Sequence, residues 1–227
     1  MAYSHNIVCF ATSKKPSGRC VAGVTVDAEG EKRDWIRPVS DRPGCEVSLD
    51  ERRYHDGTEP RLLDIITIPL LEPRPQHHQT ENHLLDAGHY WERIDTLPAS
   101  RVADFLETPA TLWINGYRSS NGINDRVPED RAYKELHSSL YLVEPTELVF
   151  SVGKEGLEWP KRKVRASFNY RGEPYRFMVT DLEIESKYLG LSDGTYNSSD
   201  RLGFCVSIAE SFHGFCYKLV AGAMKLP

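Results

Sequence analysis

With 227 residues and 40% hydrophobic content, the chain is long enough for one large packed core or two small ones. No apolar run approaches the ~20 residues of a membrane-spanning helix, and the net charge of −5 excludes a surface that is basic throughout. The five cysteines (Cys9, Cys20, Cys45, Cys205, Cys216) are odd in number and lack C-x-x-C spacing, so they read as reduced, structural and cytosolic.

The opening MAYSHNIVCFATSKK reads as a first strand, not a signal peptide, with residues 6–11 as its apolar part. TSKKPSGR is a polar turn carrying Pro16 and Gly18, residues 20–26 are a second strand, and residues 27–30 are a turn. Residues 32–39 make a third strand ending in WIRPVS. Short strands separated by Gly and Pro argue for small antiparallel barrels or a sandwich. LLDIITIPLL, residues 62–71, is a longer strand whose end Pro69 places at an edge or rim, because proline cannot donate to a central ladder. Residues 72–90, rich in Pro and His, show no period and read as a long excursion.

PASRVADFLE, residues 98–107, predicts a helix: Val102, Phe105 and Leu106 share one face, Pro98 suits the start and Pro109 closes it. WINGYRSSNGINDRV, residues 113–127, reads as an ordered functional loop. The second half begins near Leu140, with strands over 146–152, 161–180 (a hairpin), 204–208 and 215–223. Residues 181–188 are ambiguous and compatible with a short helix; residues 190–202 read as a polar loop. The expected fold is all-β or β-rich, with a first barrel over 1–95, a helix and connecting loop over 96–139, and a second barrel over 140–227. Whether strands interleave between the barrels stays open.

In KRKVRASFNYRGEPYRFMVT, Lys161, Lys163, Arg165, Ser167 and Asn169 alternate with Arg162, Val164, Ala166, Phe168 and Tyr170. Period-two alternation gives a half-buried strand with a cationic outer face, Arg171-Gly172 a tight turn, and Arg176 an outward cation on the return strand. Residues 161–176 hold six Lys/Arg against the single acid Glu173, in a chain that is acidic overall. Such a face suits a phosphate backbone, or keeps an edge strand soluble.

Lys14, Lys15 and Arg19, with Ser13, Ser17 and Gly18, make a candidate phosphate cradle that lacks P-loop spacing; a plain hairpin loop is the alternative. Trp35 and Arg37 share a strand face and suit a stacked base and its phosphate, or else a core indole and an ion pair. Asn121, Asn124, Asp125 and Arg126 suit base edges or a pinned loop. His77, His78, His83 and His89 match no metal-ligand spacing and read as surface residues; His213 has no evident nucleophile partner. No catalytic motif is present.

ATSKKPSGRCVAGV, WIRPVS, DGTEPRLLDIITIPLLEP, NGYRSSNGINDRV, KRKVRASFNY, VTDLEIESKYLG and HGFCYKLVAG occur in an order that resembles the prokaryotic dual OB-containing domain family. The resemblance implies two OB-like barrels, a place in bacterial conflict or defence systems, and contact with nucleic acid; it carries over no catalytic residue. With it, the sequence reads as a cytosolic, non-enzymatic module with no cofactor, no metal and no membrane contact. It would bind single-stranded RNA or DNA and serve a separate effector protein.

In that reading Lys161, Lys163, Arg165 and Arg176 neutralise phosphates and Lys14, Lys15, Arg19 and Arg37 extend the path. Trp35, with Tyr170 or Tyr175, stacks bases. The alternatives are a nucleotide or modified-base pocket formed by the SSNGINDRV loop and the TSKKPSGR turn, with Asp125 or His213 inside, and a scaffold that docks an acidic protein.

Overall fold

A continuous apolar run, Ile7 to Ala11, forms the buried centre of the first strand, β1 (Tyr3–Lys14), which does two jobs. Its first half, Tyr3 to Val8, pairs with β4 (Asp64–Pro73); its second half, Ile7 to Lys14, pairs with β2 (Arg19–Val26). β3 (Lys32–Val39) runs antiparallel to β2 and parallel to β5 (Asn82–Leu85), which pairs back to β4. The order β1-β2-β3-β5-β4-β1 closes a five-stranded barrel. A short helix, α1 (Leu49–Arg52), lies between its third and fourth strands, capped by Ser48 and Glu51 in a reciprocal box. Ile66, Ile68 and Leu70 alternate inward from β4 to meet Ile7, Ile36 and Trp91. β6 (Glu92–Thr96) adds to the outside of β4, with all five residues exposed. The computed structural model describes residues 2–15, 17–26, 32–156 and 158–227; the turn expected at 27–30 and Pro16 lie outside those residues.

Between the barrels come a 3-10 helix (Ala99–Phe105), β7 (Arg126–Pro128) and α2 (Glu129–Glu135). Val102 and Phe105 are buried as the apolar spacing requires, though the winding is 3-10 and not α.

The second sheet repeats the first order with its opening strand in two pieces. β8 (Leu140–Val143) pairs with β13 (Leu202–Phe212), and β9 (Thr146–Glu155) pairs with β10 (Lys161–Tyr170). Only Glu144 and Pro145 separate β8 from β9, and proline's missing N–H accounts for the interruption. β11 (Glu173–Val179) follows β10 antiparallel and runs parallel to β14 (Phe215–Lys225), which pairs with β13. α3 (Leu182–Leu189), capped by Asp181, again lies between the third and fourth barrel strands. β12 (Gly194–Asn197) adds an edge strand to β9, and β7 pairs with β14.

Four expectations are corrected. The excursion at 72–90 contains β5, a structural strand of the barrel; four residues are too few to show a period. The loop at 190–202 contains β12. β7 brings residues 126–128 of the expected connecting loop into the second sheet. Pro69 lies within β4, not at its end, and its carbonyl accepts from Asp86 N–H at 3.0 Å.

The barrels meet through β1 and β14. Phe10, Val24 and Phe105 pack with Leu142, Cys205 and Met224 in one shared apolar cluster. At Gly222 the two strands touch backbone to backbone: a Cβ there would sit 2.0 Å from the Phe10 carbonyl oxygen. Gly222→Ala must therefore part the barrels or bend β14, and is expected to cost about 1–3 kcal/mol or more. Urea unfolding measures this; a variant with wild-type stability would contradict the contact.

Candidate functional site

The hairpin β10–β11 keeps the alternation read from sequence: Val164, Ala166, Phe168 and Tyr170 enter the core. Its cationic face is not open. Residues 116–125 fold across it, with Ile123 and Arg176 exchanging backbone hydrogen bonds and Asn124 Nδ2 donating to the Pro174 carbonyl. Arg165 is only 7% exposed; Nε and Nη2 donate to the two Glu155 oxygens at 2.6 and 2.9 Å, and Nη1 lies 3.3 Å from Asp125. Asp125 is buried in turn and accepts from Ser119 N–H and Oγ. Gly122 is needed for this fold-back, since a Cβ would overlap the Asp125 carboxylate. Arg176 donates to Ser151 Oγ. Lys161 is exposed and Lys163 half-buried. Arg162, placed inward by the alternation, instead reaches Asp193 and the Leu189 carbonyl.

Of the remaining members of the expected phosphate path, Lys14, Lys15 and Arg37 are tied to acids. Lys15 contacts Glu210 at 2.8 Å and Lys14 lies 3.7 Å from Glu185. Arg37, 3% exposed, pairs with Glu81 at 3.1 Å and donates to Ser139 Oγ at 2.7 Å. Arg19 is half-buried and bridges by backbone to Val47. Trp35 donates its indole N–H to Glu107 and packs edge-on to Phe10, which places it between the barrels. Tyr170 and Tyr175 are core residues whose hydroxyls meet the Pro109 carbonyl and the Leu112 N–H, so neither is placed to stack a base. Acids from other strands and loops thus meet Lys14, Lys15, Arg37 and Arg165 first, while Lys161 stays exposed.

The fold does gather one site. A cleft of about 750 Å³ opens between the barrels, walled by the β1–β2 turn (Ser13, Lys14, Lys15), Arg37, the loop residues Asn121 and Asp125, Glu155 with Gly156, and Glu210 to Phe212. The turn and the loop thus face one cavity, with Asp125 lining it. Of its cations, Lys14, Lys15, Arg37 and Arg165 each have a carboxylate partner and Lys218 donates to the Ile114 carbonyl, so little charge is left free on a lining whose surface is mostly apolar. Arg126 instead sits over the Phe215 ring, 3.9 Å away. His213 is exposed at the tip of the β13–β14 hairpin, in contact with Phe212 and outside the cleft lining.

Two aromatics that the sequence reading passed over are the most exposed large apolar residues described. Trp159, in the β9–β10 loop, is 82% exposed, and Phe212, on the cleft wall, is 64% exposed. The available signal was an aromatic set among charges in a strand-to-strand turn, EGLEWPKR and ESFHGF. His77 and His89 are exposed, as expected, whereas His78 and His83 depart from the surface reading. His78 is buried beside the Ala209 carbonyl, His83 meets Tyr3 Oη, and His77 stacks on Tyr133. Among the described residues no three metal-ligating side chains gather, and no helix is long and apolar enough to cross a membrane.

Lys218 was also missed. It occupies the inward row of β14 between Cys216 and Val220, 1% exposed. Nζ donates to the Ile114 carbonyl at 2.8 Å and lies 5.7 Å from the centre of the Tyr175 ring. This amine pins the chain after Trp113 over the mouth of the second barrel. Burial pulls it down to about 7, against the attraction of Asp125.

Two barrels in the same strand order, each with a helix between its third and fourth strands, make this an OB-type protein with a binding cleft between its barrels. The chain belongs to the dual OB-containing domain family, whose sequence model matches residues 5–223. No curated protein and no solved structure matches it.

The buried amine makes a pH prediction. Because its folded value lies below the unfolded one, the unfolded chain binds more protons between about pH 7 and the ordinary lysine range. The destabilisation is full below about pH 7 and is relieved as pH rises. Wild-type stability should therefore climb relative to Lys218→Met from pH 7 to 9, by up to roughly 1.4 kcal/mol per pH unit. Parallel urea midpoints for the two proteins across that range would contradict it.

Proposed function

We propose that the chain is a single-stranded nucleic-acid-binding module that takes one nucleotide of the strand into the inter-barrel cleft. The observation that carries this reading is the convergence of OB binding loops. Ligands of OB folds engage the loop between the first and second strands and the loop between the fourth and fifth. Here the first-to-second-strand turn of one barrel meets both corresponding loops of the other around one cavity: the β1–β2 turn, the β9–β10 end at Glu155 and Gly156, and the β13–β14 hairpin at Phe212. A volume of about 750 Å³ falls in the range of small-ligand sites.

The rim supplies stacking surfaces. Phe212 on the cleft wall, and Trp159 in the loop whose Gly156 lines the cleft, offer exposed ring faces to bases flanking the inserted nucleotide, each stack being worth on the order of 1–3 kcal/mol. Asn121, exposed on the cleft wall, offers its side-chain amide to a base edge. Because the cleft cations are already paired, affinity depends on stacking and shape more than on neutralised phosphates. The sensing or adaptor role toward a separate effector, in the prokaryotic defence setting implied by the sequence resemblance, belongs to the same proposal.

Fluorescence anisotropy with labelled single-stranded RNA and DNA tests it. Trp159→Ala and Phe212→Ala should each weaken binding about tenfold, the equivalent of ~1.4 kcal/mol. The log–log salt slope should be shallow, near −0.7 to −1.4, as for one or two phosphates. Wild-type affinity in both variants, or no binding by the folded protein at low salt, would overturn the reading.

A further inference from the structure

The floor of the cleft holds a cation whose hydrogen-bonding capacity is not used up. Arg37 lines the cleft yet is 3% exposed. Its Nη2 serves Glu81, Ser139 and, at 3.5 Å, Ser207, while Nε and Nη1 find no partner among the described residues. A guanidinium keeps all its protons, so these buried donors lack the acceptor that such groups nearly always have. Lys15 stands near enough for its charge to act on Arg37, and it is held by Glu210 alone among the ion pairs described.

The two acids at the floor differ. Glu81 is buried and is also gripped by Ser139 Oγ, whereas the Glu210 side chain is 42% exposed and can turn to solvent. An incoming anion can therefore take Lys15 from Glu210 but cannot displace Glu81. Behind Arg37 the wall is closed by Ser139 and Glu81, both buried. A strand cannot thread past it; only a group at the end of a ligand can reach the guanidinium.

Building on the proposed nucleic-acid reading, we infer that the cleft floor around Arg37 and Lys15 is a subsite for a terminal phosphate monoester, so that the strand enters end-first. Arg37 donates to the phosphate oxygens, Lys15 exchanges Glu210 for the phosphate, and the first base occupies the cleft above them. The neighbouring bases then reach the rim aromatics.

Anisotropy with one oligonucleotide sequence in three forms tests this: 5′-phosphorylated, 3′-phosphorylated and hydroxyl at both ends. The label sits internally, and inorganic phosphate and a free mononucleotide serve as competitors. One phosphorylated form should bind at least tenfold tighter than the hydroxyl form. Lys15→Ala should abolish that preference, so that the three forms bind alike, and Glu210→Gln should increase it several-fold. Both lie on the solvent side of the floor, so the fold does not depend on them as it does on Arg37. Displacement by the mononucleotide but not by an unphosphorylated strand also supports the subsite, with a free nucleotide as its source. Equal binding of all three forms, with rim-aromatic dependence intact, would overturn the subsite and leave the nucleic-acid reading standing. No binding of any form would overturn both.

Discussion

The close approach of β1 and β14 sets the geometry on which everything else rests. A backbone-to-backbone contact at Phe10 and Gly222 leaves no room for a side chain, and the apolar cluster around it draws residues from both barrels. Closely packed interiors do not deform continuously, so this contact fixes one barrel against the other. A hydrogen bond from Lys14 N–H to the Thr180 carbonyl extends the junction toward the turn between β1 and β2. The cleft begins where that packing stops, and its loops inherit their positions from it.

Electrostatics shape the cleft in a second way. The chain gathers lysines and arginines at its middle and then pairs them: Arg165 with Glu155 and Asp125, Lys15 with Glu210, Arg37 with Glu81. Buried charges are costly unless paired; Arg165–Glu155 joins neighbouring strands, and the other pairs link segments far apart in sequence. Arg165 ties a barrel strand to the loop at 119–125; Arg37, through Glu81 and Ser139, ties the third strand of one barrel to the entry of the other. The result is a mostly apolar cavity held in shape by ion pairs, with little excess charge to attract a polyanion along its length. What it offers a ligand is fixed donors at the floor and aromatic faces at the rim.

The barrels were largely legible in the sequence because β10 and β11 carry clear alternation, and β1 and β2 short apolar runs, between punctuating turns. β5 was not: its four residues pair in parallel with a strand over forty positions earlier, and no local pattern announces that. The inner row of β10 followed from periodicity alone, whereas the fate of its outer row did not. Arg165 is buried only because Asp125 and Glu155 arrive from other elements. For the same reason the turn and loop singled out as a possible pocket do share one cavity, while the expected open cationic strand is roofed by that very loop. Trp159 was readable in principle, as a large aromatic in a charged turn where no core needs it.

Hydrogen–deuterium exchange on the intact chain, with and without a single-stranded oligonucleotide, tests the central claim most directly, because it locates the ligand without altering a residue. Occupation of the inter-barrel cleft predicts new protection confined to residues 13–20, 119–125, 155–160 and 209–214, with the outer edge strand β6 unchanged. Protection centred instead on β6, or on the exposed end of β10 at Lys161 away from those four segments, would contradict the account and move the binding surface off the cleft.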